Sequence, residues 1–288
     1  MSFKILLLTI ATFLLSQTVV AQTFHESWKI EGFGFWVYQK SKDQGSSLQL
    51  KHVWLLLDHK YRDNLSLKII LAPKGPPQIV HSLFIKWINP TANVDYIRVG
   101  RMETPFGNGI SAYRIDHNPT IIYSAIDAPV VARSNGFEGA GHVHKLKWTL
   151  GVFSGERLLG NIPATADNNV DFYLRLRDTI SDNILIGASQ RAGPVYAWGL
   201  DLVLQDSDHH LRAEFETVGS LGITQHSIML IYELGWLNLL HRTEILESGI
   251  RWTPGFRIFL PHDCEIKANT ILDPKVAPSY LAQLVLRW

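Results

Sequence analysis

The residues best suited to act chemically are charged side chains at every second position of short segments. In residues 170–177, Asp171, Arg175 and Arg177 alternate with aliphatic and aromatic residues. Charged residues placed similarly elsewhere are Arg98, Asp201, Arg212, Glu214 and Glu216. Opposite charges that face a common water-filled space can set up a transverse field that orients polar solutes. They can also pair with one another on a wet wall, where exposed pairs contribute little. The sequence leaves both alternatives open.

Few residues suggest catalysis or metal binding. Ser154 could serve as a nucleophile with His142 or His144 as its base, but no orienting third group marks a triad. His142 and His144 are two apart on a predicted strand and could share a metal ion, yet no third ligand is evident nearby. The sequence therefore predicts no catalytic residue, no cofactor and no metal site.

The composition indicates an exported protein. Lys4 and the apolar run that follows it to Leu15, ending in Ala21, form a secretory signal peptide over residues 1–21. The mature chain, residues 22–288, then has 26 basic and 26 acidic residues, because the segment removes one of the 27 basic residues and none of the 26 acidic ones. A nucleic-acid partner is not expected without a basic excess. The single cysteine, Cys264, excludes an intramolecular disulfide.

The pattern of the mature chain predicts an all-β fold. Many segments of about ten residues alternate in period two, and no mature segment has 18 uninterrupted apolar residues. A chain that spans a membrane without such a segment must be a closed barrel. We predict a transmembrane antiparallel up-and-down β-barrel of about 16 strands, with 14 as the alternative. One turn is predicted at residues 253–255. Residues 256–270 can form one long strand, although Pro261 favours a break or a bulge near one end.

One long segment without a strand pattern, residues 102–135, falls between the fifth and sixth predicted strands. It carries Arg114, Asp116, His117, Asp127 and Arg133, and it contains apolar residues that an exposed loop would not need. We expect this third loop to fold into the lumen as a constriction, since long loops in compact domains tend to be functional. The alternative is an outer loop that caps the mouth.

Several motifs resemble the phosphate-selective porin O and P family. They are Arg98-Val99-Gly100-Arg101, Thr104-Pro105-Phe106-Gly107, Phe137-Glu138-Gly139 and residues 150–155. The resemblance implies a 16-stranded barrel, usually trimeric, with its third loop folded inward. Glu103 stands where the family commonly has Lys, so phosphate selectivity does not transfer.

We therefore predict a passive porin of a bacterial outer membrane, surrounded by lipid and carrying small hydrophilic solutes or inorganic ions. The alternatives are a barrel enzyme that acts on lipids and a non-conducting scaffold or adhesin. The residues predicted to line the pore or its constriction are Arg98, Arg114, Asp116, Asp127, Arg133, Asp171, Arg175, Arg177, Asp201, Arg212 and Glu214.

Overall fold

The computed structural model describes residues 28–41, 45–74, 80–107, 133–154, 170–193, 196–206, 208–220, 222–261 and 264–287. The predicted signal peptide lies outside these ranges. The strands are β1 (Trp28–Ser41), β2 (Gly45–Arg62), β3 (Leu65–Lys74), β4 (Val80–Thr91), β5 (Val94–Glu103), β6 (Arg133–Val143), β7 (Leu146–Ser154), β8 (Val170–Ser181), β9 (Ile184–Ala192), β10 (Ala197–Asp206), β11 (Leu211–Ser220), β12 (Ile223–Leu234), β13 (Leu237–Leu246), β14 (Gly249–Leu260), β15 (Cys264–Asp273) and β16 (Val276–Arg287).

Each strand pairs antiparallel with its neighbours in the chain, and β16 closes the barrel against β1, where Trp36 faces Leu284. The predicted barrel of 16 strands is confirmed, and the alternative of 14 is wrong. Closure leaves no unpaired sheet edge. Within the described ranges, no helix has the length and apolar character needed to cross a membrane.

Inside and outside are separated by the alternation of side chains along each strand. On β8, Phe172 is 55% exposed, whereas its neighbour Asp171 is 3% exposed and Arg175 is 6% exposed. The same arrangement, with charged residues inside and apolar residues outside, recurs from β4 to β15. This is the reverse of a soluble sandwich and is typical of barrels that face lipid.

The two ends of the barrel differ. At the end where β1 begins and β16 finishes, here called the turn end, every connection is two to four residues long. The long connections, residues 104–132 and 155–169, are both at the opposite end, here called the loop end. Exposed Tyr and Trp side chains ring both ends of the outer surface: Tyr61, Trp87, Tyr232 and Trp236 at the turn end, and Tyr38, Tyr196, Trp252 and Tyr280 at the loop end. Such paired aromatic girdles mark the two interfaces of a membrane barrel.

The turn predicted at residues 253–255 is wrong. Residues 256–270 do not form one long strand, and the break that Pro261 favoured is confirmed. Pro254 lies within β14, which continues to Leu260, and Pro261 begins the connection to β15. Proline lacks an N–H group, so it interrupts a ladder without ending the strand. The ladder with β15 accordingly has pairs at Trp252 and Gly255 in one continuous register, with none between them.

The bounds predicted for the long loop also need correction. β5 continues to Glu103 and β6 begins at Arg133, whose register partner is Glu103. The connection is therefore residues 104–132, and Arg133 belongs to a strand. Arg114, Asp116 and Asp127 lie outside the described residues.

Candidate functional site: the loop start and the charged inner wall

The first residues of the long connection turn into the barrel. Thr104 and Phe106 are 2% and 0% exposed. The Gly107 amide donates a hydrogen bond to Ser189 Oγ on β9 at 3.1 Å. Phe106 packs against Gly199 on β10, where an added Cβ would lie 3.2 Å from the ring. Residues 104–107, here called the loop start, therefore cross the interior from β5 to β9 and β10, along the predicted inward path.

Arg175 on β8 holds the loop start in place. Its guanidinium donates to the Gly107 carbonyl oxygen, to Ser189 Oγ at 3.1 Å and to Asp201 at 3.3 Å. Asp201 lies on β10, two strands away, and reaches across β9 at Gly187, where a Cβ would collide with its carboxylate. Because Gly187 has no side chain, one buried arginine can join the loop start to two neighbouring strands.

An apolar cluster surrounds Phe106. Its ring packs among side chains of several inner strands, and the Phe153 and Tyr173 rings meet edge to face at 5.5 Å. The buried members of the cluster are Phe84, Met102, Phe106, Phe153, Tyr173, Ala197 and Val218. Burial of several large side chains supplies most of the stabilisation of such a contact. The loop start is thus held by packing as well as by hydrogen bonds.

The backbone conformation at Gly100, in the motif that precedes the loop start, requires a glycine. Its φ is +135°, and a Cβ at this position would overlap the carbonyl oxygen of Leu83 on β4. L-residues avoid this conformation. The glycine lets β5 approach β4 closely just before the chain enters the lumen.

The predicted inner-wall charges are joined in pairs on the same wall. Arg191 bonds Asp171 at 2.8 Å, Arg175 bonds Asp201, Arg212 lies 2.7 Å from Glu214, and Arg98 lies 2.7 Å from Glu138. Arg177 shares the inner face of β8 and is half-buried. The pairing alternative therefore describes most of these residues: the partners are neighbours and do not face each other across the lumen.

Sequence reasoning missed several inner charges. Glu138, Glu244, Glu265 and Lys267 are each 0% exposed. Glu265 contacts Lys267 at 2.9 Å and Arg257 at 2.7 Å. The missed signal was positional, since Glu138 is the register partner of Arg98, Glu244 of Arg251 and Lys267 of Arg257, and Glu265 shares the face of Lys267.

A basic stripe, Lys68, Lys86 and Arg98, runs over neighbouring strands β3, β4 and β5. Lys86 is the register partner of Arg98, and Lys68 is close enough to Lys86 to interact with it electrostatically. The Lys86 ammonium lies 4.5 Å from the centre of the Tyr96 ring. A cavity of about 330 Å³ adjoins the loop start. Its lining includes four basic side chains, which are Arg98, Lys147, Arg175 and Arg177. Three acidic residues, Asp95, Glu103 and Glu138, lie among them.

The histidine and serine candidates do not assemble into a catalytic or metal site. His142 Nδ1 lies 2.7 Å from Asp95 Oδ1, whereas His144, with a φ of +53°, lies in the turn after β6 and not on its face. His142 faces Lys147, and Ser154 is seven residues further along β7. That is about 24 Å at about 3.4 Å per residue. Among the residues that the structure describes, no three His, Cys, Asp or Glu side chains converge.

Comparison with known proteins finds matches among solved structures. No protein-family model matches the chain, and no curated protein matches it. A triple mutant of the Rhodopseudomonas blastica porin superimposes with a TM-score of 0.63 at 10% sequence identity, covering 91% of this chain and 100% of that one. The chain has the porin fold. A loop L8 deletion mutant of OmpT, an outer membrane protein of Vibrio cholerae, matches with a TM-score of 0.63 at 8% identity and the same coverage.

Within this porin fold, the loop start follows the fifth strand and opens the third connection at the loop end. At sequence identities this low, the comparison supports the fold alone. The properties of the inner wall therefore have to be argued from this chain's own residues.

Proposed function

We propose that this protein is a passive porin of a bacterial outer membrane, through which small hydrophilic solutes or ions diffuse. The observation that carries the proposal is the combination of a lipid-type outer belt with a charged inner wall and a loop start held inside the lumen. Closed barrels with this distribution are the membrane-spanning form of β-structure. A pore of this kind selects by its narrowest cross-section and by the charges around it.

Single-channel recording from the refolded mature chain in a planar bilayer tests the proposal. Discrete ohmic steps are expected. A folded barrel, identified by its heat-dependent mobility in gels, that inserts into the bilayer and passes no current would overturn the porin function. That result would favour the alternative functions, a lipid-acting enzyme or a non-conducting scaffold or adhesin.

The motif resemblance supports a finer proposal, that the chain is a homotrimeric relative of the phosphate-selective porin O and P family, exported by its signal peptide. No phosphate selectivity is proposed, because Glu103 occupies the position where that family commonly has Lys. Cross-linking in native membranes is expected to give a product of three chains. A product that stops at one chain would contradict the trimer while leaving the pore untouched.

The basic stripe, which has Asp58 beside Lys68 and Glu138 beside Arg98 at its two ends, supports a preference for anions through its three successive positive charges. Exchanging Lys86 for Glu changes the charge of the inner wall by two units beside Lys68 and Arg98. We expect the reversal potential in a salt gradient to move toward cation selectivity. The matched control is Lys275→Glu, in the short turn between β15 and β16. Equal shifts in both variants would mean that the stripe does not face the conducting path.

A lipid-acting enzyme is the rival that the sequence suggested, and the hairpin geometry argues against it. Ser154 bonds Ser134 and the Asn135 carbonyl, while His142 lies on β6, opposite Lys147 at the other end of β7. Ser154→Ala is therefore expected to leave phospholipid turnover at the level of the uncatalysed control. Release of fatty acid by the parent chain that disappears in this variant would restore the enzyme hypothesis.

A further inference from the structure

A patch of polar side chains lies on the outer surface of the barrel, on strands β11 to β13. It consists of Thr217, His226, His241 and Thr243 and is here called the outer histidine patch. Both histidines are exposed, and each has one ring nitrogen 3.0 Å from a threonine hydroxyl, His226 from Thr217 and His241 from Thr243. Within the described part of the chain, neither ring makes a second hydrogen bond. One nitrogen of each ring is therefore left for the surroundings of the barrel to satisfy.

The alternation along β13 places His241 on the outer face, between the two aromatic girdles. The residue beside it, Arg242, is buried inside the barrel, whereas Leu239, two residues before it, is exposed. Trp236 of the turn-end girdle lies five residues before His241. Trp252 of the loop-end girdle is the register partner of the residue two positions after it. At this depth, the outer surface of a membrane barrel meets hydrocarbon.

The opposite side of the barrel shows the residues that this chain places against lipid. At mid-strand, the outward residues of β4, β5 and β7 include Ile85, Val99 and Leu150, which are 52%, 51% and 51% exposed. A histidine at such a position costs free energy, because hydrocarbon offers no hydrogen-bond partner to its ring nitrogens. The outer histidine patch therefore suits a partner that can form hydrogen bonds better than it suits lipid.

The sheet beside His241 has a second feature that lipid tolerates poorly. His241 is the register partner of Pro254 on β14. The ladder between β14 and β15 has pairs at Trp252 and Gly255 and none between them. In hydrocarbon, backbone polar groups have to be satisfied within the protein. A polar patch and an interrupted ladder, side by side, indicate that protein covers this face.

We propose that the outer histidine patch is a contact surface between copies of this chain, next to the rotation axis of the oligomer. The inference rests on the proposed membrane location and on the proposed trimer. Around a rotation axis, each residue lies near the same residue of the next subunit. A singly protonated histidine ring has one N–H donor and one acceptor nitrogen, and a threonine hydroxyl both donates and accepts. Copies of the patch can therefore satisfy one another's remaining ring nitrogens without burying a charge.

Cysteine cross-linking in native membranes tests this surface, in a background where Cys264→Ser removes the native thiol. His241→Cys, under mild oxidation or with a short bismaleimide, is expected to give a product of two chains. The matched control is Leu150→Cys, which is also outward and at mid-strand and should remain a single chain. Cross-linking of the control alone, of both variants or of neither overturns the surface. A product that joins this chain to a different protein overturns the second copy as the occupant.

Replacing the His241 ring gives a readout whose sign separates an interface from a lipid-facing position. At a lipid-facing position, His241→Leu removes a polar group from hydrocarbon, so resistance to urea rises and the oligomer is unchanged. At the proposed interface, the trimer fraction in mild detergent falls by about tenfold or more, because each subunit loses a hydrogen bond to the next. His241→Asn keeps a donor and an acceptor and is expected to retain the trimer. Retention of the trimer by both variants overturns the proposal.

Channel recording on the same preparations separates failure of this surface from failure of the porin function. Discrete current steps from a chain that forms no oligomer refute the surface and the trimer and leave the porin function intact. Copies that cross-link through His241→Cys and pass no current refute the porin function and support the surface.

Discussion

Replacing Arg175 by Met is expected to destabilise the barrel by about 3–5 kcal/mol and to make its single-channel current larger and noisier. The substitution removes one partner of a buried ion pair and leaves Asp201, 5% exposed, without its arginine. It also removes the donors that bind the Gly107 carbonyl and Ser189. The loop start then loses the three bonds of this guanidinium and keeps its packing and its amide bond to Ser189 among its contacts. Urea unfolding in lipid vesicles measures the stability, and bilayer recording measures the current.

The matched control is Arg191→Met. Arg191 is equally buried and is bonded to Asp171 through two nitrogens, at 3.2 and 2.8 Å, but it makes no described contact with the loop start. It should lose a similar amount of stability and keep the parent conductance. Similar conductance changes in both variants would show that wall stability, and not the contact with Gly107, controls the pore.

Phe106→Ala is expected to have the second large effect. The ring is fully buried in the cluster with Met102, Phe153 and Tyr173. Truncation of a buried Phe costs about 3–5 kcal/mol, through lost burial and the cavity that remains. The ring also packs the loop start against Gly199. Its removal is therefore expected to widen the space inside the barrel and to raise the conductance.

Phe137→Ala is the control for this truncation. Phe137 lies on the outer surface of the barrel, where its ring is 49% exposed. It removes the same number of atoms, so we expect a much smaller loss of stability and an unchanged current. The assignment of Phe106 to the loop contact fails if Phe106→Ala leaves both the unfolding curve and the conductance at parent values.

The sequence determined the class of fold because period-two alternation is a local property of each strand and does not depend on its pairing partner. Residues 170–177 already separated Asp171, Arg175 and Arg177 from their apolar neighbours, and the barrel keeps that separation. The count of 16 strands followed from the same pattern. The pattern failed at Pro254, because proline predicts the end of a strand from the sequence, whereas the pairing of β13 with β14 continues through it.

Only the tertiary structure decided which charges meet and where the loop start lies. Arg175 and Asp201 are 26 residues apart and belong to strands that do not pair with each other, so no local pattern relates them. Their contact depends on the register of β8, β9 and β10, which places Gly187 between them and Ser189 beneath Gly107. Register is a non-local property, because it is set by closure of the whole sheet. The same closure brings the loop start across the lumen to the wall that holds it.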